Sequence, residues 1–479
     1  MNLFFFMNNI YPLFWAISGS FIFSQIVVVQ GTEEKEPSRK KLFLKETKTP
    51  SSFVVPFSWK KNNPQLSDKF SIEVRNLLLS ANKFALNGWY KDKKKFDSQK
   101  GEYLSFGGRT EAQIRPVSHQ VFALAVSLKW RVYDSAMTGV AAQEALSRTS
   151  HMIKSLCHYH KANAGKNGWG DAWQSALWAS QTALAGWFLW DSLDESTRDD
   201  LGRMMAHEAD RFLNYNVPYY KDKTGRVITP GDSKAEENAW NSTILVAANV
   251  MMPSHPHWKQ WNDKAIELQL SSYATPHDNE RSEVWNGFPL NQLNGSNMEE
   301  DGTVINHNII HPDYMVAIMG SATNAWIYAL GGMKSPLASL FNGDRVYQAM
   351  TDLKIKDGRT MYVSENGTAT VKMYYPQGND WGNFRQANYW LMDIMADLFE
   401  WDKKCSIKAR EWAAVRNNEM KRMQDRSSSG QYYQDMAEDS FPSREEWISY
   451  HLAFGYLGLW LHENSLISFT REQITPPAI

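Results

Sequence analysis

A histidine and a tyrosine stand seven residues apart in this chain, close enough to serve one reaction. His307 ends the run Asp301–His307 (DGTVINH), and Tyr314 follows it after His311. Upstream, Asn238 lies in the segment Glu-Glu-Asn-Ala-Trp-Asn. An amide, an imidazole and a phenol are the groups needed to remove a proton from the carbon beside a sugar carboxylate and to expel the neighbouring oxygen. The sequence therefore predicts proton-transfer chemistry on an acidic sugar.

Each of these three residues has one role in such a β-elimination. The C5 proton of a uronic acid is poorly acidic, so an enzyme must neutralise the carboxylate, supply a base at C5 and supply an acid at the departing O4. His307 lies in a polar loop, which favours it as the base, with Tyr314 as the acid and Asn238 on the carboxylate. The competing interpretations are a structural histidine, a tyrosine packed in the core and a helix-capping amide.

Aromatic and polar residues near these positions are candidates for sugar binding. The chain has 20 Trp, 20 Tyr and 23 Phe. Flat aromatic rings can cover the apolar faces of sugars, although they also fill cores. Arginine can pair with a carboxylate or sulfate group. The predicted substrate-binding residues are Trp169, Trp173, Glu237, Trp240, Asn241, His311, Arg345, Trp381 and Arg385.

The elements that must position these residues are mainly helices. Apolar residues recur at three- and four-residue spacing from about residue 71 onward and predict about a dozen helices, one of them beginning at Asp194. Only Thr360–Tyr375 alternates like strands, around Asn366-Gly367, and it predicts a β-hairpin. Such a chain suits a mainly all-α fold, an α/α toroid of paired helices with one small hairpin; the alternative is an irregular helical domain.

Three segments divide the chain. Residues 1–30 carry no charge, and Tyr11–Val29 is strongly apolar, which predicts an export signal, or else an uncleaved membrane anchor. Residues 31–65 are polar and are interpreted as a linker, and residues 66–470 as the toroid catalytic domain. We therefore expect a secreted or periplasmic protein, or one anchored to a membrane through its N-terminal segment.

Composition argues against several classes of protein. The net charge is −1, and basic residues do not gather with aromatic ones, so a nucleic-acid partner is not expected. The sequence has no phosphate-binding loop, no nucleophile elbow and no His-Glu-x-x-His zinc motif. Cys157 and Cys405 lie far apart without metal-ligand spacing, which favours two buried thiols over a disulfide. No cofactor is required, although Glu236, Glu237 and Asp301 could hold a structural divalent cation.

The same segments resemble the catalytic helical domain of chondroitin, hyaluronate and xanthan lyases. The Asn-Trp-Trp-rich helix start of that family is similar to Asn167–Gln174, and its Gly-Asn segment roughly corresponds to Glu237-Asn238. Its Asp-Gly-Ser-(aromatic)-Ile-(polar)-His segment, followed by Tyr, is similar to residues 301–307 and Tyr314. The resemblance covers about residues 110–400 at motif level. It implies an incomplete α/α toroid, with His307 and Tyr314 as base and acid and Asn238 on the carboxylate.

The favoured prediction is a polysaccharide lyase that acts on a uronic-acid-containing polysaccharide and leaves an unsaturated uronate. The family's Ser-Arg-Gly-Arg element and its large β domains have no counterpart here, so the polymer is left open. One alternative is a glycoside hydrolase on a helical toroid, pairing Glu236 or Glu237 with Glu300 or Asp301. The other is a non-catalytic carbohydrate-binding protein.

Overall fold

Helices form most of the computed structural model, which describes residues 49–57, 66–381, 386–434, 438 and 444–476. Twelve α-helices of nine residues or more occur in these ranges, so the predicted mainly-α class is confirmed. Six of them belong to an outer layer: Lys69–Phe84 (α1), Ala142–His158 (α3), Glu195–Asp210 (α5), Trp258–Ser272 (α7), Gly343–Thr351 (α9) and Ala409–Gln424 (α11).

The other six helices form an inner ring and alternate with the outer ones along the chain. They are Glu111–Lys129 (α2), Ser175–Phe188 (α4), Ala235–Met251 (α6), Met319–Leu330 (α8), Gln386–Leu398 (α10) and Arg444–Glu463 (α12). Each inner helix packs against the next, and α12 returns to pack against α2. The ring of inner helices is therefore closed, whereas the resemblance implied an incomplete toroid.

Inner and outer helices differ in how their apolar residues are distributed. All residues of α4 are buried, and its run of Ala, Leu, Trp and Phe is apolar on every side, as expected for a helix surrounded by others. Two of the outer helices, α1 and α5, begin at acidic caps. The Asp68 carboxylate accepts a hydrogen bond from the Ser71 N–H at the start of α1, and Asp194 does the same for the Thr197 N–H of α5. The helix start predicted at Asp194 is confirmed.

Ten short strands form five two-stranded sheets among the described residues. The predicted hairpin is confirmed, with Asn366 and Gly367 at its turn and both at positive φ. The strand pairs are Lys221–Asp222 (β1) with Gly295–Ser296 (β4), Val284–Trp285 (β2) with Phe288–Pro289 (β3), Ile305–Asn306 (β5) with Ile309–Ile310 (β6), Ser335–Pro336 (β7) with Phe469–Thr470 (β10), and Tyr362–Glu365 (β8) with Thr368–Met373 (β9).

Residues 49–57, within the segment interpreted as a linker, pack against the helical body. The Val55 N–H donates to the Met251 carbonyl at 2.8 Å, and the Trp187 indole N–H donates to the Val55 carbonyl at 2.7 Å. Phe57 is buried, with its ring centroid 4.7 Å from that of Trp187. The predicted export signal, residues 1–30, lies outside the described residues.

Two further sequence predictions concern the cysteines and the membrane. Cys157 and Cys405 are both buried free thiols, as favoured. Within the described ranges, every helix is too short or too polar to cross a lipid bilayer.

Candidate functional site

A cavity of about 280 Å³ opens on the axis of the helical ring. Every inner helix contributes to its wall: Arg115 of α2, Leu177 of α4, Trp240 of α6, Thr323 of α8, Leu391 of α10 and Tyr450 of α12. Much of the lining is apolar or aromatic, with a few charged groups among it, which is the usual character of a small-molecule or oligosaccharide site. The ring therefore brings residues from six distant stretches of sequence to one pocket.

His307 reaches this region from the turn of a small hairpin. Strands β5 and β6 are joined by His307 and Asn308, both at positive φ (50° and 65°), the backbone of a type I′ turn. Asparagine and glycine tolerate that conformation, but histidine adopts it at a cost of roughly 1–3 kcal/mol. Residues held this way cluster at functional sites, where the surrounding structure enforces a particular side-chain position.

Three side chains form a hydrogen-bonded chain that starts at the cavity wall. Tyr314 lines the cavity, and its hydroxyl lies 3.0 Å from His307 Nε2. His307 Nδ1 in turn lies 2.5 Å from Asp380 Oδ2. A carboxylate on one ring nitrogen holds the imidazole so that the other can accept a proton, the arrangement that activates hydroxyl groups in many enzymes.

His311 and Trp381 complete this cluster. His311 is fully buried, and its Nε2 lies 3.1 Å from the second oxygen of Asp380. The ring centroid of Trp381 lies 5.1–5.4 Å from those of Tyr314, His307 and His311. Burial lowers the pKa of His311, in spite of the nearby carboxylates Asp313 and Asp380. Burial alone would raise the pKa of Asp380, but hydrogen bonds and charge from the two histidines outweigh it, and this pKa lies below its ordinary value.

The structure does not bring Asn238 to the cavity wall. Its side chain is fully buried, and its amide nitrogen donates to the Pro218 carbonyl at 3.0 Å and to Ser271 Oγ at 3.1 Å. Both amide hydrogens are therefore engaged, and neither is available to a sugar carboxylate. Asn241 is also buried, and Glu237 is held by the Tyr215 hydroxyl and by Lys234. These three residues serve the packing of α6.

Glu236, rather than the predicted Asn238, lies on the cavity wall. It lies in the first turn of α6, one turn before Trp240, and lines the cavity while almost completely buried. Burial raises the pKa of Glu236 well above its ordinary value, and the charges of Asp232 and Glu237 raise it further. Burial therefore favours the neutral form of this carboxyl group, which can donate a hydrogen bond into the cavity.

Only some of the predicted aromatic and arginine ligands lie at the cavity. Trp173, Trp240 and Trp381 line the cavity. Trp169 instead packs in the core, where its indole N–H donates to the Leu156 carbonyl. Arg345 pairs with Glu300 outside the cavity wall, and Arg385 lies outside the described residues.

Several groups that the structure places here carry no clear signal in the sequence. Asp380 precedes Trp381 in the Gly-Asn-Asp-Trp-Gly loop, where the tryptophan is the predicted sugar-binding residue. Arg115 and Arg444 supply positive charge at the wall, and both guanidinium groups lie near the ring of Trp447, at 5.1 and 4.6 Å. No spacing rule connects residues 115, 380 and 444, so only the closure of the ring reveals them.

Trp173 is the most exposed of the cavity tryptophans and offers a direct test of sugar stacking. About half of its surface is open, and its ring meets that of Trp240 edge-on at 4.8 Å. A sugar face covering roughly 60 Å² of it contributes about 1.5 kcal/mol, so we expect Trp173→Ala to weaken the binding of a sugar ligand about tenfold. Calorimetric titration measures the affinity, and thermal unfolding checks that the fold is kept. Phe469→Ala, an exposed ring outside the cavity wall, is the control and should leave the affinity unchanged.

A buried carboxylate fixes the loop that carries Trp173. Glu208 of α5 accepts hydrogen bonds from the Asp171 N–H and His160 Nε2 on one oxygen and from Ser175 Oγ and Arg211 on the other. These contacts tie the loop before α4 to the outer layer.

This network predicts acid sensitivity of the fold. Burial lowers the pKa of His160, and hydrogen bonds from His160 together with the charge of Arg211 lower that of Glu208 against the effect of burial. Both depressed values stabilise the folded chain fully above about pH 6.5, the ordinary histidine value, and this stability is lost as pH falls below it. We expect Glu208→Gln to cost about 1–3 kcal/mol at neutral pH. The acid limb of a stability–pH curve should flatten only below about pH 4.3, the ordinary glutamate value, because the burial that lowers the pKa of His160 remains. Glu195→Gln, exposed on the same helix, should leave that limb intact.

The fold and site thus define a helical ring with an axial, aromatic-lined cavity and a Tyr-His-Asp chain at its edge. No protein-family model matches this chain, and no curated protein matches it in sequence. Function is therefore inferred from the geometry of the cavity and of the Tyr-His-Asp chain.

Proposed function

We propose that this protein is a polysaccharide lyase that cleaves a uronic-acid-containing polysaccharide by β-elimination. The observation that carries the proposal is the Tyr314 hydroxyl on the cavity wall, 3.0 Å from His307 Nε2, with Asp380 behind the imidazole. Secretion through the apolar N-terminal segment would bring such an enzyme to its polymer.

In this proposal Tyr314 contacts the sugar directly, and His307 exchanges a proton with Tyr314. His307 accepts the phenol proton, and Asp380 stabilises the resulting imidazolium. The phenolate removes the C5 proton, the C4=C5 double bond forms, and the bond from C4 to the bridging oxygen breaks. That oxygen takes a proton from Tyr314, which recovers its own from His307. Relative to the sequence prediction, the direct base is the tyrosine rather than the histidine, because Tyr314 lines the cavity and His307 lies behind it.

In the proposed reaction, residues of the cavity wall stabilise the substrate carboxylate in place of Asn238. The neutral form of Glu236, which burial favours, can donate a hydrogen bond to the carboxylate, and Arg115 and Arg444 provide positive charge beside it. Trp173, Trp240 and Trp381 then cover the sugar rings.

A glycoside hydrolase is the second candidate, because three carboxyl groups, those of Glu111, Glu236 and Asp313, line the cavity. Burial favours the protonated form of Glu236, the form that a general acid needs, and Asp313 could act as the partner base. The pairs expected from sequence are less suitable: Glu237 is absent from the cavity wall, Glu300 pairs with Arg345, and Asp301 caps a turn through Thr303.

Two assays run on the same samples distinguish these reactions. The protein is incubated with a panel of uronic-acid polysaccharides while near-ultraviolet absorbance and reducing ends are both followed. We expect both signals to rise together, since elimination creates a conjugated double bond and a new chain end. New reducing ends without a rise in absorbance would contradict the lyase and support the hydrolase. Sugar binding with neither signal would indicate a binding protein.

A further inference from the structure

The cluster around Asp380 contains the ligands of a metal site. Two imidazole nitrogens, His307 Nδ1 and His311 Nε2, point at the two oxygens of one carboxylate, and the three ligand atoms lie within 4.8 Å of one another. We propose that His307, His311 and Asp380 bind a divalent transition-metal ion of the zinc type. This inference does not depend on the lyase reaction. A bound ion would oppose that reaction, because His307 would then carry its proton on Nε2 and could not accept one from Tyr314.

The distances suit that ion. Zinc binds histidine nitrogen at about 2.0–2.1 Å and carboxylate oxygen at about 2.0–2.2 Å, so tetrahedral neighbours stand roughly 3.4 Å apart. The two nitrogen–oxygen separations here are 2.5 and 3.1 Å, and small rotations of three side chains would admit the ion. Two histidines and one carboxylate form a common catalytic zinc set, with a fourth position open. His307 and Asp380 are partly exposed, which gives an ion access from solvent.

The second observation concerns the buried ring of His311. Without an ion, Nε2 must carry the ring proton to bond with Asp380, and Nδ1 has no hydrogen-bond partner among the described residues although the side chain is fully buried. A metal on Nε2 moves the proton to Nδ1, which lies 3.9 Å from Asp313 Oδ2. That carboxylate would then complete the carboxylate–histidine–metal arrangement found around most ligating histidines.

The ring of His307 has an outer partner of the same kind. A metal on Nδ1 leaves the proton on Nε2, which lies 3.0 Å from the Tyr314 oxygen. The hydrogen bond would reverse, with His307 donating and Tyr314 accepting. His307 therefore has an acceptor within hydrogen-bond distance for the proton that metal binding leaves on the ring, and His311 would gain one if Asp313, at 3.9 Å, moved closer.

Metal binding by the purified full chain tests the inference. Zinc content is measured by mass spectrometry after preparation without chelators, and chelator-stripped protein is titrated with Zn²⁺ by calorimetry and with Co²⁺ by visible absorbance. We expect one ion per chain and the visible bands of a four-coordinate Co²⁺ site. Asp380→Ala and His311→Gln should abolish binding, and Asp313→Asn should weaken it about 10–100-fold.

Controls separate a specific site from adventitious binding. His277→Ala removes an exposed histidine that faces Glu280 elsewhere on the surface, and it should leave stoichiometry and affinity unchanged. Because His311 is buried, the exposed Asp380→Ala variant with an unchanged melting temperature is the decisive one. Wild-type protein that binds no Zn²⁺ or Co²⁺, or an Asp380→Ala variant that binds as tightly as wild type, would overturn the proposal, whatever the activity assays show.

Discussion

Tyr314→Phe is expected to lower kcat about 10³-fold, within the range that one acid–base group supplies. The substitution removes one oxygen and keeps the ring that packs against Trp381 at 5.1 Å. In the proposed reaction that oxygen both takes the C5 proton and returns one to the leaving group, so its loss removes two steps. Initial rates followed by absorbance give the effect, and circular dichroism confirms that the fold is kept.

Proton transfer from Tyr314 depends on His307 and Asp380. An ordinary phenol and an ordinary imidazole differ by about 3.5 pKa units, so moving a proton between them costs about 5 kcal/mol. The Asp380 carboxylate, 2.5 Å from the imidazole, reduces that cost by stabilising the charged ring. His307→Ala leaves the phenol without an acceptor and should also abolish turnover.

Tyr374→Phe is the matched control for the loss of a hydroxyl group. The Tyr374 hydroxyl donates to Asp357 outside the cavity wall, and its removal should leave the rate unchanged. A Tyr314→Phe variant as active as wild type would refute the role assigned to this residue.

Asp393→Asn is expected to destabilise the fold by about 3–5 kcal/mol, the cost of leaving a buried charge without its partner. Asp393 of α10 and Arg416 of α11 form an ion pair in which both side chains are fully buried. The hydroxyls of Tyr347 and Tyr362 donate to the same carboxylate at 2.9 and 3.0 Å. Burial raises the pKa of Asp393 to about 6 against these partners, so the carboxylate is still ionised at neutral pH.

Chemical denaturation at neutral pH measures this loss. Glu419→Gln, which breaks the exposed pair with Arg422 on the same outer helix, is the control and should barely move the unfolding midpoint. A similar small shift for Asp393→Asn would mean that Arg416 finds other partners when its carboxylate is lost.

Local sequence signals anticipated the elements but could not supply the contacts between them. The Asn366-Gly367 hairpin and the Asp194 helix start depend on neighbouring residues only, and both were predicted. His307 and Tyr314 come together because only one short turn separates the hairpin from the next helix. Asp380 joins them across 73 residues, and no periodicity reports such a contact.

Asn238 shows the limit of interpreting polar residues near a helix start. The sequence placed it beside an aromatic residue and an acidic pair, which is typical of a binding edge. Successive residues of a helix point about 100° apart, so a small error in the facing direction turns a cavity residue into a core residue. Glu236, two positions earlier, faces the cavity, whereas Asn238 faces Ser271.

The left-handed backbone of His307 has a consequence for laboratory evolution. Glycine at this position would relieve roughly 1–3 kcal/mol of conformational strain, so a library selected for heat resistance alone should enrich His307→Gly. Such variants would be more heat-resistant but inactive in the proposed reaction, because they lack the imidazole that the strained backbone directs at Tyr314. Thermal selection without an activity screen would therefore remove the residue on which the proposed chemistry depends.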